Sequence, residues 1–261
     1  MTTSREADAA IRCEDLSIAR TGRLDRERIV DGLTFALDHG HTLAIMGPTG
    51  SGKSTLAAIL AGSDESGRSI SGGEAWVEGI RVRRPGRAHR VLTYRTGYLA
   101  QSAGATLPAR STVAEVIAEP ITSRDRTVNQ RALSVRVATL LDELMLPLGA
   151  ANKYPYELSA GMRQRVAFAR AMILQPTVFI ADDPFANMDV EVRVAAREAI
   201  IRRRDEYAMA TLVVTNEMDV ARDLHAHVLV MHAGHAIAYG PDADSMLWTP
   251  SSEADRWLIS T

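Results

Sequence analysis

The sequence predicts an α/β protein built on a mostly parallel sheet. Three observations carry that expectation. Short apolar runs alternate with longer helical patterns along the chain. A glycine-rich turn at residues 47–55 joins one such run to a helical pattern. A second apolar run, residues 178–181, ends in two adjacent acids, Asp182 and Asp183.

In chain order, residues 11–19, 33–37 and 42–46 read as strands and 51–61 as a helix. Strands are expected at 75–82 and 93–99. Helical patterns fill 113–121, 130–145 and 160–173. Two short strands of buried type, 177–181 and 211–215, alternate with helices at 190–205 and 219–224. Strands at 227–231 and 236–239 close the sheet. The pattern is helical throughout from about 101 to 157, which we take as an inserted helical lobe within one domain spanning residues 1–261.

Composition narrows the function classes. A chain of 261 residues can bury one large core. Its 30 basic and 32 acidic residues leave a net charge of −2, which offers no basic field for nucleic acid. Cys13 is the single cysteine, so no internal disulfide is expected and a reducing compartment fits. No run approaches the 18 or so apolar residues of a bilayer span, and residues 1–10 lack the apolar stretch of a signal peptide. Any membrane role is therefore expected to work through a partner. Lys53 and Lys153 are the only lysines among many arginines, and Lys53 falls inside the glycine-rich turn.

That turn, Gly47-Pro48-Thr49-Gly50-Ser51-Gly52-Lys53-Ser54-Thr55, matches G-x-x-x-x-G-K-[ST]. The expected strand precedes it and the expected helix follows. Glycines let backbone N–H groups turn inward around a phosphate without Cβ clashes. The helix N-terminus adds partial positive charge at the same place. Lys53 supplies an ammonium to the β/γ-phosphates, and Ser54 offers a hydroxyl to Mg²⁺. Asp182 and Asp183 lie at the carboxyl end of a strand, where open α/β sheets bind ligands. Asp182 suits Mg²⁺, and Asp183 would face an attacking water. The phosphates of a nucleotide and Mg²⁺ are thus the expected ligands of a P-loop NTPase core.

Between these motifs lies Leu158-Ser159-Ala160-Gly161-Met162-Arg163-Gln164-Arg165, which resembles the L-S-G-G-Q signature of ATP-binding-cassette (ABC) proteins. Gln101 is similar to that family's Q-loop glutamine, residues 187–189 to its D-loop, and Asn216 occupies its switch-histidine position. The resemblance covers roughly residues 10 to 240. It implies an N-terminal antiparallel β part beside the parallel core. It also implies a head-to-tail pair of subunits, each ATP lying between one phosphate loop and the other subunit's Ser159 and Gly161. Residues 105–108 and 118–121, with Tyr154-Pro155, are similar to the lobe of peptide and nickel importer ATPases. The partners so implied are a second ABC ATPase and transmembrane permeases, and the place is the cytoplasmic face of the cell membrane. Two alternatives stay open: an ABC adaptor in a soluble enzyme complex, and an exporter motor.

Four positions depart from the family pattern. Asp183 stands where a catalytic glutamate is usual and Asn216 where histidine is usual. Ala160 replaces the first signature glycine. Arg20 falls where an aromatic usually stacks on adenine; arginine can stack too, and a solvated surface arginine is the alternative. Misplacing a reacting group by about 1 Å can cost roughly a hundredfold in rate. The expectation is a site that binds ATP but turns it over slowly, paired with a partner ATPase of a different chain that carries Glu and His.

Overall fold

Residues 9–20, 28–63, 67–83, 85–242 and the backbone of 247–248 are described in the computed structural model of the chain. The strands, in chain order, are β1 (Ile11–Arg20), β2 (Arg28–Leu37), β3 (Thr42–Met46), β4 (Arg68–Val77), β5 (Ile80–Arg81), β6 (Thr96–Leu99), β7 (Val178–Asp182), β8 (Ala210–Val214), β9 (His227–His232), β10 (His235–Gly240) and β11 (Leu247–Trp248). The α-helices are α1 (Lys53–Leu60), α2 (Arg87–Arg95), α3 (Val113–Thr122), α4 (Gln130–Glu143), α5 (Ala160–Met172), α6 (Val190–Tyr207) and α7 (Met218–Asp223).

Among the described residues, β2-β1-β4-β5 form an antiparallel sheet. A seven-stranded sheet runs β11-β10-β9-β3-β8-β7-β6. Its strands from β9 to β6 are mutually parallel, and β10 and β11 add an antiparallel edge.

The central strands are buried on both faces, so their side chains feed two cores by simple alternation. Ala44, Met46, Phe179, Ala181 and Val213 face one core, shared with the helices α3 to α7. Leu43, Ile45, Val178, Ile180, Leu212 and Val214 face the other, shared with α1 and the antiparallel sheet. Phe168 on α5 and Phe179 on β7 meet with ring centres 5.3 Å apart. Truncating either buried ring to alanine would cost about 3–5 kcal/mol.

Residues 101–157 hold α3, α4 and three 3₁₀ turns. Ile117 and Leu141 from this stretch join the same core as Phe168 and Phe179. Thr112 and Glu115 form a reciprocal cap at the start of α3. Glu119 of α3 pairs with Arg170 of α5 at 2.8 Å, and Glu143 of α4 with Arg203 of α6 at 2.6 Å. The helical stretch is thereby tied to the elements that carry the sheet.

Two expectations about strands are corrected. Residues 93–95 are not strand: α2 runs to Arg95 and β6 starts at Thr96. Thr93 and Tyr94 are of β-type. The helix wins because Leu92 is fully buried, with Gly62 beneath it, while Tyr94 is left half exposed. The strand expected at 75–82 is a hairpin instead. Glu78 and Gly79 both take left-handed φ (54° and 68°), and Val77 pairs with Ile80 across that two-residue turn. The glycine-containing first half of β4 and residues 28–32 of β2 carried no strand signal, yet both pair with β1.

Candidate functional site

β3 delivers the chain into the phosphate loop at the carboxyl edge of the parallel sheet. Gly47 has φ 133°, and a Cβ there would lie 1.9 Å from the carbonyl oxygen of Met231. No other residue fits that approach. Ser51 accepts from the N–H of Gly234 (3.2 Å), which pins the loop to the β9–β10 turn. Gly52 caps α1 in the left-handed conformation, and Lys53 opens the helix.

Lys53 is 8% exposed. Its Nζ donates to the carbonyls of Gly47 (2.5 Å) and Pro48 (2.8 Å) and to Ser51 Oγ (3.4 Å). Burial pushes the ammonium's pKa down, and the Asp182 carboxylate opposes that shift.

A cavity of about 640 Å³ opens above the loop. Its floor is Thr49, Gly50, Gly52, Lys53, Ser54 and Thr55. Gly47 and Ser51 do not line it; their contacts with Met231 and Gly234 hold the loop against β9 and the β9–β10 turn. One wall comes from the carboxyl ends of parallel strands: Gln101, Asp182, Asp183, Thr215, Asn216 and Glu217. The other comes from the antiparallel sheet: Arg20, Arg28, Ile29 and Arg68.

Asp182 ends β7 and is 3% exposed. Asp183 takes φ 52°, a left-handed conformation that aspartate tolerates better than most residues. Its N–H donates to Val214 O at 2.9 Å, which fixes it against β8. Burial first, and then the charge of Glu217, push the Asp183 carboxyl up, while Arg193 pulls it down. With its amide nitrogen turned toward the loop, Asn216 donates to the carbonyls of Gly47 (2.7 Å) and Thr215 (3.2 Å). Arg193 on α6 holds Glu217 with two contacts, at 2.7 and 3.5 Å.

Of the residues singled out in the sequence, Arg20, Thr49, Gly50, Gly52, Lys53, Ser54, Thr55, Gln101, Asp182, Asp183 and Asn216 line this one cavity. Ser159 and Gly161 do not. Ser159 caps α5, accepting from Met162 N at 3.2 Å. Gly161 lies under the D-loop stretch, where a Cβ would stand 2.5 Å from Asn187 O. Sequence reasoning missed Arg28, Arg68 and Glu217. Glu217 was findable as the polar neighbour of Asn216. Arg68 carried no local signal and arrives through the pairing of β4 with β1.

Ser54, Gln101 and Asp182 offer a hydroxyl, an amide oxygen and a carboxylate to the same cavity. An all-oxygen set of this kind suits a hard cation such as Mg²⁺. Among the described residues, no helix is long and apolar enough to cross a membrane.

Comparison with known proteins agrees with this geometry. The oligopeptide transport ATP-binding protein OppD of Mycobacterium tuberculosis is 33% identical over 239 residues, covering 89% of this chain and 37% of that protein. The oligopeptide transport ATP-binding protein OppF of Escherichia coli is 29% identical over 233 residues, covering 89% of this chain and 69% of that protein. The chain thus spans well under half of the first relative's length. A dimeric ATP-binding cassette solved in a post-hydrolysis state with ADP and phosphate superposes with a TM-score of 0.78 at 22% identity, covering 93% of this chain and all of that one. That likeness establishes the cassette fold. The sequence model of the ABC transporter family matches residues 30–186, more than half of the chain and the whole run from the phosphate loop to the paired aspartates, so the chain belongs to the ABC transporter family.

Proposed function

We propose that this chain binds ATP with Mg²⁺ and hydrolyses it as the nucleotide-binding subunit of a membrane importer of the peptide or nickel type. The observation that carries the reading is the meeting of Lys53 and its phosphate loop with Asp182 and Asp183 in one cavity. The names of the curated relatives, which are oligopeptide transport ATP-binding proteins, support the importer part.

The loop N–H groups and the start of α1 bind the phosphates, and Lys53 turns its ammonium from the loop carbonyls to the triphosphate. Ser54, Gln101 and Asp182 would hold the magnesium ion, whose contribution is to neutralise phosphate charge. Asp183 orients the attacking water and takes its proton. An upward-shifted carboxyl suits that role, because a base works best near the operating pH. Its side chain is one methylene shorter than glutamate's. Asn216 cannot carry a positive charge, and its amide already serves the Gly47 carbonyl. Both features make this chain's own site slow.

Ser159 and Gly161 lie outside the cavity, in keeping with service to a second subunit's site. The partner is a different ABC ATPase that carries Glu and His at the matching positions, and most turnover occurs in its site. The helical stretch 101–157 docks transmembrane permeases at the cytoplasmic face, and Gln101 links the cavity to that stretch. The chain reaches the membrane only through these partners.

Lys53→Ala tests the reading. Calorimetry should show loss of tight MgATP binding, by about a hundredfold or more, with an unchanged melting temperature. Equal affinity in the variant and the parent would refute it.

A further inference from the structure

Gln101 lines the cavity from beyond the end of the sheet, since β6 stops at Leu99. Two successive turns carry the chain onward. The N–H of Ala103 donates to Ala100 O at 3.1 Å, and that of Ala105 to Ser102 O at 2.8 Å. The second of these, the 3₁₀ turn Ala103–Ala105, lies directly on α5. A Cβ on Gly104 would stand 2.7 Å from Gln164 N and 2.8 Å from the carbonyl carbon of Arg163, so turn and helix meet backbone to backbone.

Gln164 closes that joint. It is 2% exposed, and its Oε1 accepts from the Gly104 N–H at 3.4 Å. Among the described residues its Nε2 has no hydrogen-bond partner. A leucine of similar size would fill the same space without burying an orphaned amide group, which is unfavourable. What leucine could not do is accept from Gly104, whose buried N–H needs an acceptor. The amide therefore points to the position of the turn rather than to packing.

We infer that Gln164 is a positioning residue for the magnesium end of the site. Through Gly104 it fixes the turns that carry Gln101, and so the place from which the Gln101 amide meets the cation. Gln164 itself does not line the cavity. Outer groups that orient a metal ligand commonly govern metal affinity by about 10–100-fold. The inference rests on the nucleotide reading above and adds to it a residue remote from the ligand.

The test is a double-mutant cycle on the whole chain, read by calorimetry with the β,γ-imido analogue of ATP. Each protein is titrated once in EDTA and once with Mg²⁺, and the ratio of the two Kd values is its Mg²⁺ gain. Gln164→Leu should leave the Kd in EDTA within about twofold and cut the Mg²⁺ gain by about tenfold. Gly104→Ala, which pushes the turn off α5 from the other side, should show the same selective loss. In a Gln101→Ala background, Gln164→Leu should change the gain no further, because it acts through Gln101. An unchanged gain in Gln164→Leu, an equal loss in EDTA and in Mg²⁺, or a further loss in the Gln101→Ala background overturns the inference and leaves the nucleotide site standing. A parent that gains nothing from Mg²⁺ overturns the magnesium reading and the inference with it. A parent that binds the analogue under neither condition overturns the nucleotide reading as a whole.

Discussion

The two walls of the cavity are built by opposite means. The carboxylate wall stands on strand ends buried on both faces. Asp182 closes β7, Asp183 is bonded to Val214, and Glu217 is clamped by Arg193. The arginine wall stands on an antiparallel sheet, with Arg20 and Arg28 exposed. The first wall has positions set to within hydrogen-bond tolerance, and burial pushes its Asp183 carboxyl up. The second has long side chains that can follow a ligand. A reaction needs the first kind of wall, because rate falls steeply with misplacement.

The floor common to both walls should be the most sensitive part. Gly47→Ala adds a Cβ 1.9 Å from Met231 O at a positive φ. The expected loss is about 3 kcal/mol, which calorimetry would record as a fall in Tm of roughly 6–12 °C. An unchanged Tm would mean that the loop is not pinned against β9 as described.

On the carboxylate wall, Asp183→Glu with Asn216→His should raise turnover of this chain's own site by about a hundredfold. Single-turnover hydrolysis in a pairing where only this site is intact would measure it. No change would remove the account of both departures.

On the arginine wall, Arg20→Ala or Arg68→Ala should weaken binding of any nucleoside triphosphate by only about 2–5-fold at low salt. That difference should shrink at about 0.5 M salt, because exposed charges are screened. A salt-independent loss would mean that the arginines act by packing.

The smallest effect concerns pH. The folded Asp183 carboxyl sits above its ordinary value of 3.8. The native state therefore holds a proton that the unfolded chain has released, and stability falls as pH rises across that window. Asp183→Asn keeps the left-handed backbone and removes the slope. Its Tm should exceed the parent's by at most about 2 °C near pH 7, and the gain should vanish below pH 3.8. A gain of the same size at both pH values would assign the effect to something other than the carboxyl.

The sequence by itself determined the parallel core and the glycine-rich floor of the cavity. β3 falls at Thr42–Met46 as its apolar run predicts, and α3, α5, β7 and β8 lie within one or two residues of expectation. Such elements declare themselves because burial on one or two faces imposes a local period, and the phosphate loop because its glycines are demanded by the backbone. Tertiary structure alone decided the rest. α2 carries β-type residues yet coils, since Leu92 needs the space over Gly62. Glu78-Gly79 turns although neither flank marks it. Arg68 stands beside Arg20 because β4 pairs with β1 across 48 residues of chain. Cross-strand register depends on partners distant in sequence, and no local pattern encodes it. The residues of the glycine-rich loop were therefore legible in one motif, while the arginine wall became visible only when the two strands met.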